Sequence, residues 1–179
     1  MLQHHFNWKV LSAAAGITWW SFYFRLYPTI RAPQVVNFLG HLLHHLPGKL
    51  LVVWDGLPAH RARLVSEFIR LQRGRLAIEW LPGYAPELNP VEYIWGYWKN
   101  HELPNFCPRD FAQLSNHARR ALARMRRRPA LVMAFWEWLG CALCNYLMQD
   151  SIDAKPREYG LDLLVVPTKV KELLPKNHV

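Results

Sequence analysis

The sequence predicts a chain of the α/β class. Leu50 to Trp54 is a short, continuous apolar run with the length and composition of a buried strand, and Leu76 to Leu81 repeats the pattern. Each is closed by a turn pair, Asp55-Gly56 and Pro82-Gly83. Segments with apolar residues at helical spacing lie before and between them. An aromatic and β-branched stretch, ITWWSFYFRLY, adds strand character nearer the start.

At 179 residues the chain is long enough for one domain with a real core. Half of it is hydrophobic (51%) and nine residues are Trp, which excludes a disordered tail. Its formal charge of +9, from 22 Lys and Arg against 13 Asp and Glu, suits a polyanionic partner. Charge alone reports no more than solubility or nonspecific attraction. The first residues, MLQHHFNWKV, lack the basic and apolar regions of a secretory signal.

In order, Val10 to Gly16 and Ile17 to Tyr27 read as two strands, with a turn near Ala15-Gly16-Ile17 and a stop at Pro28. Gln34 to Leu46 reads as a helix: Val35, Phe38, Leu39, Leu42, Leu43 and Leu46 fall on one stripe, and Pro47-Gly48 ends it. His41 and His45 stand one turn apart there, with His44 beside them, but no third ligand or intervening Glu accompanies them. They read as surface or half-buried histidines. After Leu50 to Trp54, a helix is expected from Pro58 to Gln72. Its stripe is Leu64, Val65, Phe68 and Leu71, flanked by Arg61, Arg63, Arg70 and Arg73 on a solvated face.

Strand ends are where open α/β sheets build their sites, so Asp55 and Glu92 are the candidates for chemistry. Each has a plain structural alternative. Asp-Gly after a strand is ordinary turn chemistry. In Asn89-Pro90-Val91-Glu92, the Asn is an N-cap, the Pro occupies the first helical position, and the Glu can close a capping box. The helix that follows presents Glu92, Trp95, Gly96 and Lys99 at steps of three and four, with Trp95 and Trp98 read as core.

The segments D-G-L-P-A-H (Asp55 to His60) and L-P-G-Y-A-P-E-L-N-P-V-E-Y-I-W-G (Leu81 to Gly96) resemble the second and third acidic motifs of IS630-type and Tc1/mariner-type DDE transposases. In that pattern the second Asp is followed five positions on by a His, here His60. The third acid stands in Leu88-Asn89-Pro90-Val91-Glu92, with Trp95 after it. Between Asp55 and Glu92 lie 36 residues (positions 56 to 91), close to the family's usual spacing. Gly56 departs from the pattern, which usually has Asn there.

The resemblance covers roughly Val10 to Met148 and implies a ribonuclease-H-like fold, a mixed sheet flanked by helices with a C-terminal helical pair. It implies metal-assisted phosphoryl transfer on DNA in transposition. Three carboxylates would hold two Mg²⁺ (or Mn²⁺) ions, with Asp55 and Glu92 two of the three. His60 and Asn89 would orient the acids or touch DNA. The first catalytic Asp of this fold stands on a first, central strand. No Asp or Glu precedes Val10, and no strand is read over Met1 to Lys9. The expectation is therefore a partial catalytic domain over residues 1–150, lacking its central strand, inactive, and prone to associate through unpaired ladder edges. A run at Leu163 to Val166, with Asp162 beside it, is the alternative filler of that place, and the reading decides against it.

Beyond Pro104 to Pro108, Asp110 to Arg127 reads as a helix that grows basic towards its end: Arg119, Arg120, Arg124, Arg126, Arg127 and Arg128. These arginines suit DNA phosphates, and the helix C-terminus favours cations for its own sake. Ala130 to Met148 is nearly long enough to cross a bilayer, but Glu137 and Asn145 make crossing expensive. It reads as a buried or partner-packed helix rather than a membrane span. Cys141 and Cys144 on it read as small hydrophobes, and isolated Cys107 leaves no disulfide framework, as in a reducing cytoplasm. Residues 151–179 read as a linker and a tail holding one short strand-like run.

Three functions follow, in order of preference. The first is a DDE transposase catalytic unit acting at the prokaryotic nucleoid. The second is a non-catalytic module that binds DNA, or pairs with a full-length transposase or with itself, through Asp110 to Met148. The third is a membrane-associated protein.

Overall fold

The computed structural model describes residues 11–83, 88–104 and 106–137, and the backbone of 161–165. Five strands form one mixed sheet, ordered β2-β1-β5-β3-β4. The strands are β1 (Ser12–Ile17), β2 (Phe22–Tyr27), β3 (Lys49–Trp54), β4 (Leu76–Trp80) and β5 (Leu161–Val165). Helices α1 (Ala32–His45) and α2 (Arg63–Leu71) pack on one face. Helices α3 (Val91–Tyr97), α4 (Phe111–Arg126) and α5 (Pro129–Glu137) pack on the other.

The strands show why both faces bury. In β3, Leu50, Val52 and Trp54 join the core under α1 and α2, whereas Leu51 and Val53 meet the core under α3 to α5. In β1, Ala14 faces the first core, and Ala13, Ala15 and Ile17 face the second. Alternate residues of a pleated strand point to opposite sides, so a continuous apolar run is what a doubly covered sheet requires.

β1 and β2 form an antiparallel hairpin with Ser12 opposite Tyr27 and Ile17 opposite Phe22. Its turn lies at Thr18 to Ser21, not at Ala15-Gly16-Ile17 as the small residues suggested. The Thr18 amide and hydroxyl both donate to the Ser21 carbonyl (2.8 and 2.9 Å), and the Ser21 amide donates to the Thr18 hydroxyl oxygen (3.2 Å). That closure leaves Ala15 to Ile17 free to pair in the ladder. Trp136 of α5 locks the turn from below, its indole N–H donating to the Thr18 carbonyl at 2.9 Å.

The centre of the sheet corrects the sequence reading. The place expected to be vacant is filled by β5, from the segment read as a tail. β5 runs parallel to β3 over five residue pairs, Lys49 with Leu161 through Val53 with Val165. It meets β1 antiparallel at a single pair, Ile17 with Val165. An inner strand edge with unpaired amides is costly, and the apolar LDLLV run supplies those partners. The expected exposed ladder along β3 is absent. Residues 138–160 and 166–179, with Cys141, Cys144 and most of the long apolar stretch, lie outside the described residues. No helix among the described residues is long and apolar enough to cross a membrane.

Candidate active site and nucleic-acid surface

Asp55 follows directly on β3, half-buried, at the carboxyl end of the sheet. Its Oδ1 accepts the Leu57 amide at 3.4 Å, the local turn bond an Asp at this place makes. His60 Nδ1 stands 2.9 Å from that Oδ1 and 2.9 Å from the Asp55 carbonyl oxygen. Two acceptors face this nitrogen, so it carries the proton. The His60 side chain is fully buried, and its ring stacks on Trp54 at 4.3 Å with 4° between planes.

This tether explains a misplaced boundary. The helix expected from Pro58 begins only at Arg63. The His60 and Arg61 amides both turn back to the Leu57 carbonyl, and Ala62 is extended (φ −65°, ψ 141°). The chain thus spends residues 57 to 62 on an irregular turn that seats His60 against Asp55.

Glu92 lies in the first turn of α3, half-buried, where the positive end of the helix favours an acid. Asn89 is buried, and its Oδ1 accepts the Val91 amide at 3.1 Å across Pro90, which takes the N-cap position expected of Asn89. Val53, two residues before Asp55, and Val91, next to Glu92, are fully buried in the same core cluster. The Leu81 amide donates to the Trp54 carbonyl at 2.8 Å, so the loop leading to Glu92 departs from beside Asp55. Among the described residues, no group of three or more His, Cys, Asp or Glu side chains is placed to hold a metal ion.

α3 passes directly into a π-helical turn, Trp98–Glu102, with Trp98 buried as expected of core and Trp95 likewise. Glu102 pins this turn to α4: its carbonyl pairs with His117 Nε2 at 2.8 Å, and its carboxylate with Arg124.

The six arginines predicted for DNA are all exposed, on α4 or just beyond it, and spread over its solvent side. Asp110 caps α4 by accepting the Gln113 amide at 2.7 Å, and the helix buries Leu114, Ala118, Ala121, Leu122 and Met125. Arg120, Arg124 and Arg127, at steps of four and three, share one exposed flank. Arg119 and Arg126, seven apart, share the other, where Arg126 lies 5.8 Å from the Phe24 ring. Arg128 donates to the Tyr97 hydroxyl at 2.9 Å. Arg109, which the sequence reading passed over, joins Arg120 and Arg124 along a groove of about 610 Å³. Its signal was the four-residue step to Gln113, whose side chain accepts the Arg109 amide.

In α1, His45 Nδ1 bonds the His41 carbonyl at 2.8 Å, and the two rings lie 4.2 Å apart. Burial and the Arg25 guanidinium, with smaller help from His45, His44 and Arg126, hold His41 down at about 4. Cys107 is exposed.

Residues 2–115 match the family model described as DDE superfamily endonuclease. No curated relative matches the sequence. Among solved structures, the Mos1 transposase paired-end complex with left transposon end is similar at TM-score 0.60 and 15% identity, over 82% of this chain and 44% of that one. The Mos1 strand transfer complex (TM-score 0.57, 15% identity, 76% and 42% covered) and the Mos1 mariner paired end complex with Mn (0.57, 16%, 76% and 43%) are similar too. At these identities the likeness establishes the fold, a mixed α/β sheet of the ribonuclease-H-like kind. The chain spans less than half the length of the transposase chains it matches.

Proposed function

The chain belongs to the DDE superfamily endonuclease family, and from that premise we propose that it is the later part of a transposase catalytic core of the IS630 branch. In this reading it binds DNA at the prokaryotic nucleoid and contributes Asp55 and Glu92 to a divalent-metal site. One observation carries the proposal: the two family acids occupy a strand end and a helix start whose neighbouring residues, Val53 and Val91, share one buried cluster.

The residue types suit the group. Carboxylate oxygens match Mg²⁺ or Mn²⁺, hard cations that keep waters for the substrate. Such ions, when bound, supply an activated water or 3′-hydroxyl and offset charge on the leaving oxygen. His60 fixes Asp55 by bonding one carboxylate oxygen, and Asn89 fixes the turn carrying Glu92. The third carboxylate is the weak point. β5 holds the central place, and its register sets Asp162 opposite Leu50, at the far end of β3 from Asp55. At about 3.3 Å per residue those five positions span roughly 16 Å, too far to share an ion. Among the described residues no third acid joins Asp55 and Glu92, and in this reading the chain alone does not cleave DNA.

Manganese binding read by electron paramagnetic resonance tests the site. Asp55→Asn and Glu92→Gln are each expected to weaken binding at least about tenfold, the loss of one charged oxygen ligand. Unchanged binding in both overturns the shared site. Supercoiled plasmid should remain intact with either ion; nicking that Asp55→Asn abolishes would overturn the inactivity and keep the site. The exposed Arg120 and Arg127 favour a second reading, a module that binds DNA and pairs with a complete transposase or with itself. Salt-sensitive binding to duplex DNA by a chain that binds no manganese would mark that role.

A further inference from the structure

On the α2 face of the sheet, the carboxyl ends of β3 and β4 form a groove of about 420 Å³ that the metal site does not use. Trp54, His60, Arg61, Arg70, Ile78 and Trp80 line it, and no carboxylate does among the described residues. Trp80 ends β4 with 41% of its surface exposed, large for so apolar a residue at a strand end. The Arg61 guanidinium lies 5.4 Å from its ring centre. Behind them the Trp54 and His60 rings stack into a flat wall, and the buried Trp54 indole N–H has no acceptor among the described residues.

A single exposed aromatic is ordinary on protein surfaces. Here its surroundings distinguish it: two arginines, no acid among the described residues, and a wall built from His60, whose other edge holds Asp55. Gly56 fits the same arrangement. A Cβ there would come within 2.8 Å of Arg61 Nη2, so the glycine leaves the guanidinium its place beside Trp80.

We propose that this groove binds single-stranded DNA, stacking one unpaired base on Trp80 and holding the flanking phosphates with Arg61 and Arg70. Aromatic rings accept any base, and arginines supply the sequence-independent charge. The shared His60 sets this strand beside Asp55, so the groove would guide an unpaired end to the acid. The choice of DNA rests on the function proposed above.

Fluorescence anisotropy of a labelled oligo-dT with the full-length chain tests the groove. Trp80→Ala should weaken binding about tenfold, the usual range for one stacked base, and Trp80→Phe should keep most of it. An oligonucleotide of abasic sites should bind wild type more weakly and lose nothing further in Trp80→Ala. Arg61→Gln should lower the salt slope by about one. Equal affinity of Trp80→Ala and wild type for oligo-dT, or an equal loss on the abasic strand, overturns the stacking. Trp80→Ala should leave manganese binding unchanged, and Asp55→Asn should leave oligo-dT binding unchanged, so failure of either site is told apart from failure of the other.

Discussion

Single residues show how far a motif reaches into geometry. The Asp55 and His60 pair was readable as a spacing of five, but the contact depends on an irregular turn and on Trp54 beneath the imidazole. His41 carries the clearest consequence for pH. Its pKa falls from an ordinary 6.5 to about 4 because burial and Arg25, whose Nη2 lies 3.5 Å away, oppose the imidazolium. Below pH 6.5 the unfolded chain takes up this proton and the folded chain does not. The stability His41 confers is thus complete above pH 6.5 and is lost as pH falls towards 4. Urea midpoints should drop between pH 7 and pH 4.5, and less steeply in His41→Gln. An equal drop in both proteins would assign the effect elsewhere.

Among the elements, boundaries moved where side chains bonded backbone. α2 starts late because His60 and Arg61 turn back on Leu57, and α3 widens into a π-helical turn that Glu102 fastens to α4. α1 ends under a residue with no sequence signature. The Arg75 guanidinium donates to the carbonyls of Leu43 (2.5 Å) and Leu46 (2.8 Å), and through Nε to Gly48 (3.3 Å). These are the orphan carbonyls of a helix C-terminus and the loop beyond it, met by a fixed cation. Arg75→Met should cost about 2–3 kcal/mol, the scale of hydrogen bonds from a charged group to half-buried acceptors. For a chain of this size that lowers Tm by roughly 4–12 °C. A shift under 1 °C in differential scanning calorimetry would refute this role.

The whole molecule turns on β5. Its five pairs with β3 cover an edge that would otherwise expose amides at the centre of the sheet. Leu163→Pro removes one ladder donor there and should cost about 1–3 kcal/mol. Hydrogen exchange should then speed at β3 amides from Leu50 to Val53 while the β1–β2 hairpin stays protected. Unchanged protection along β3 would show that β5 does not support the sheet. The same strand confines the chemistry, since its register carries Asp162 away from Asp55 rather than towards it.

The sequence by itself determined what is local. Apolar runs of strand length, one-sided helical stripes, the Asp110 cap, the Asn89 turn and the spacing of the family acids are all written within a few residues of where they act. The small-residue turn was misread because Thr18 and Ser21 outbid it with side-chain bonds. Only the tertiary structure decided which strand fills the centre, since Leu161 lies more than a hundred residues beyond β3 and ladder partners leave no trace in either segment alone. It likewise divided the arginines of α4 between two flanks and joined Trp80 to Arg61, because contacts across elements depend on packing that no local pattern records.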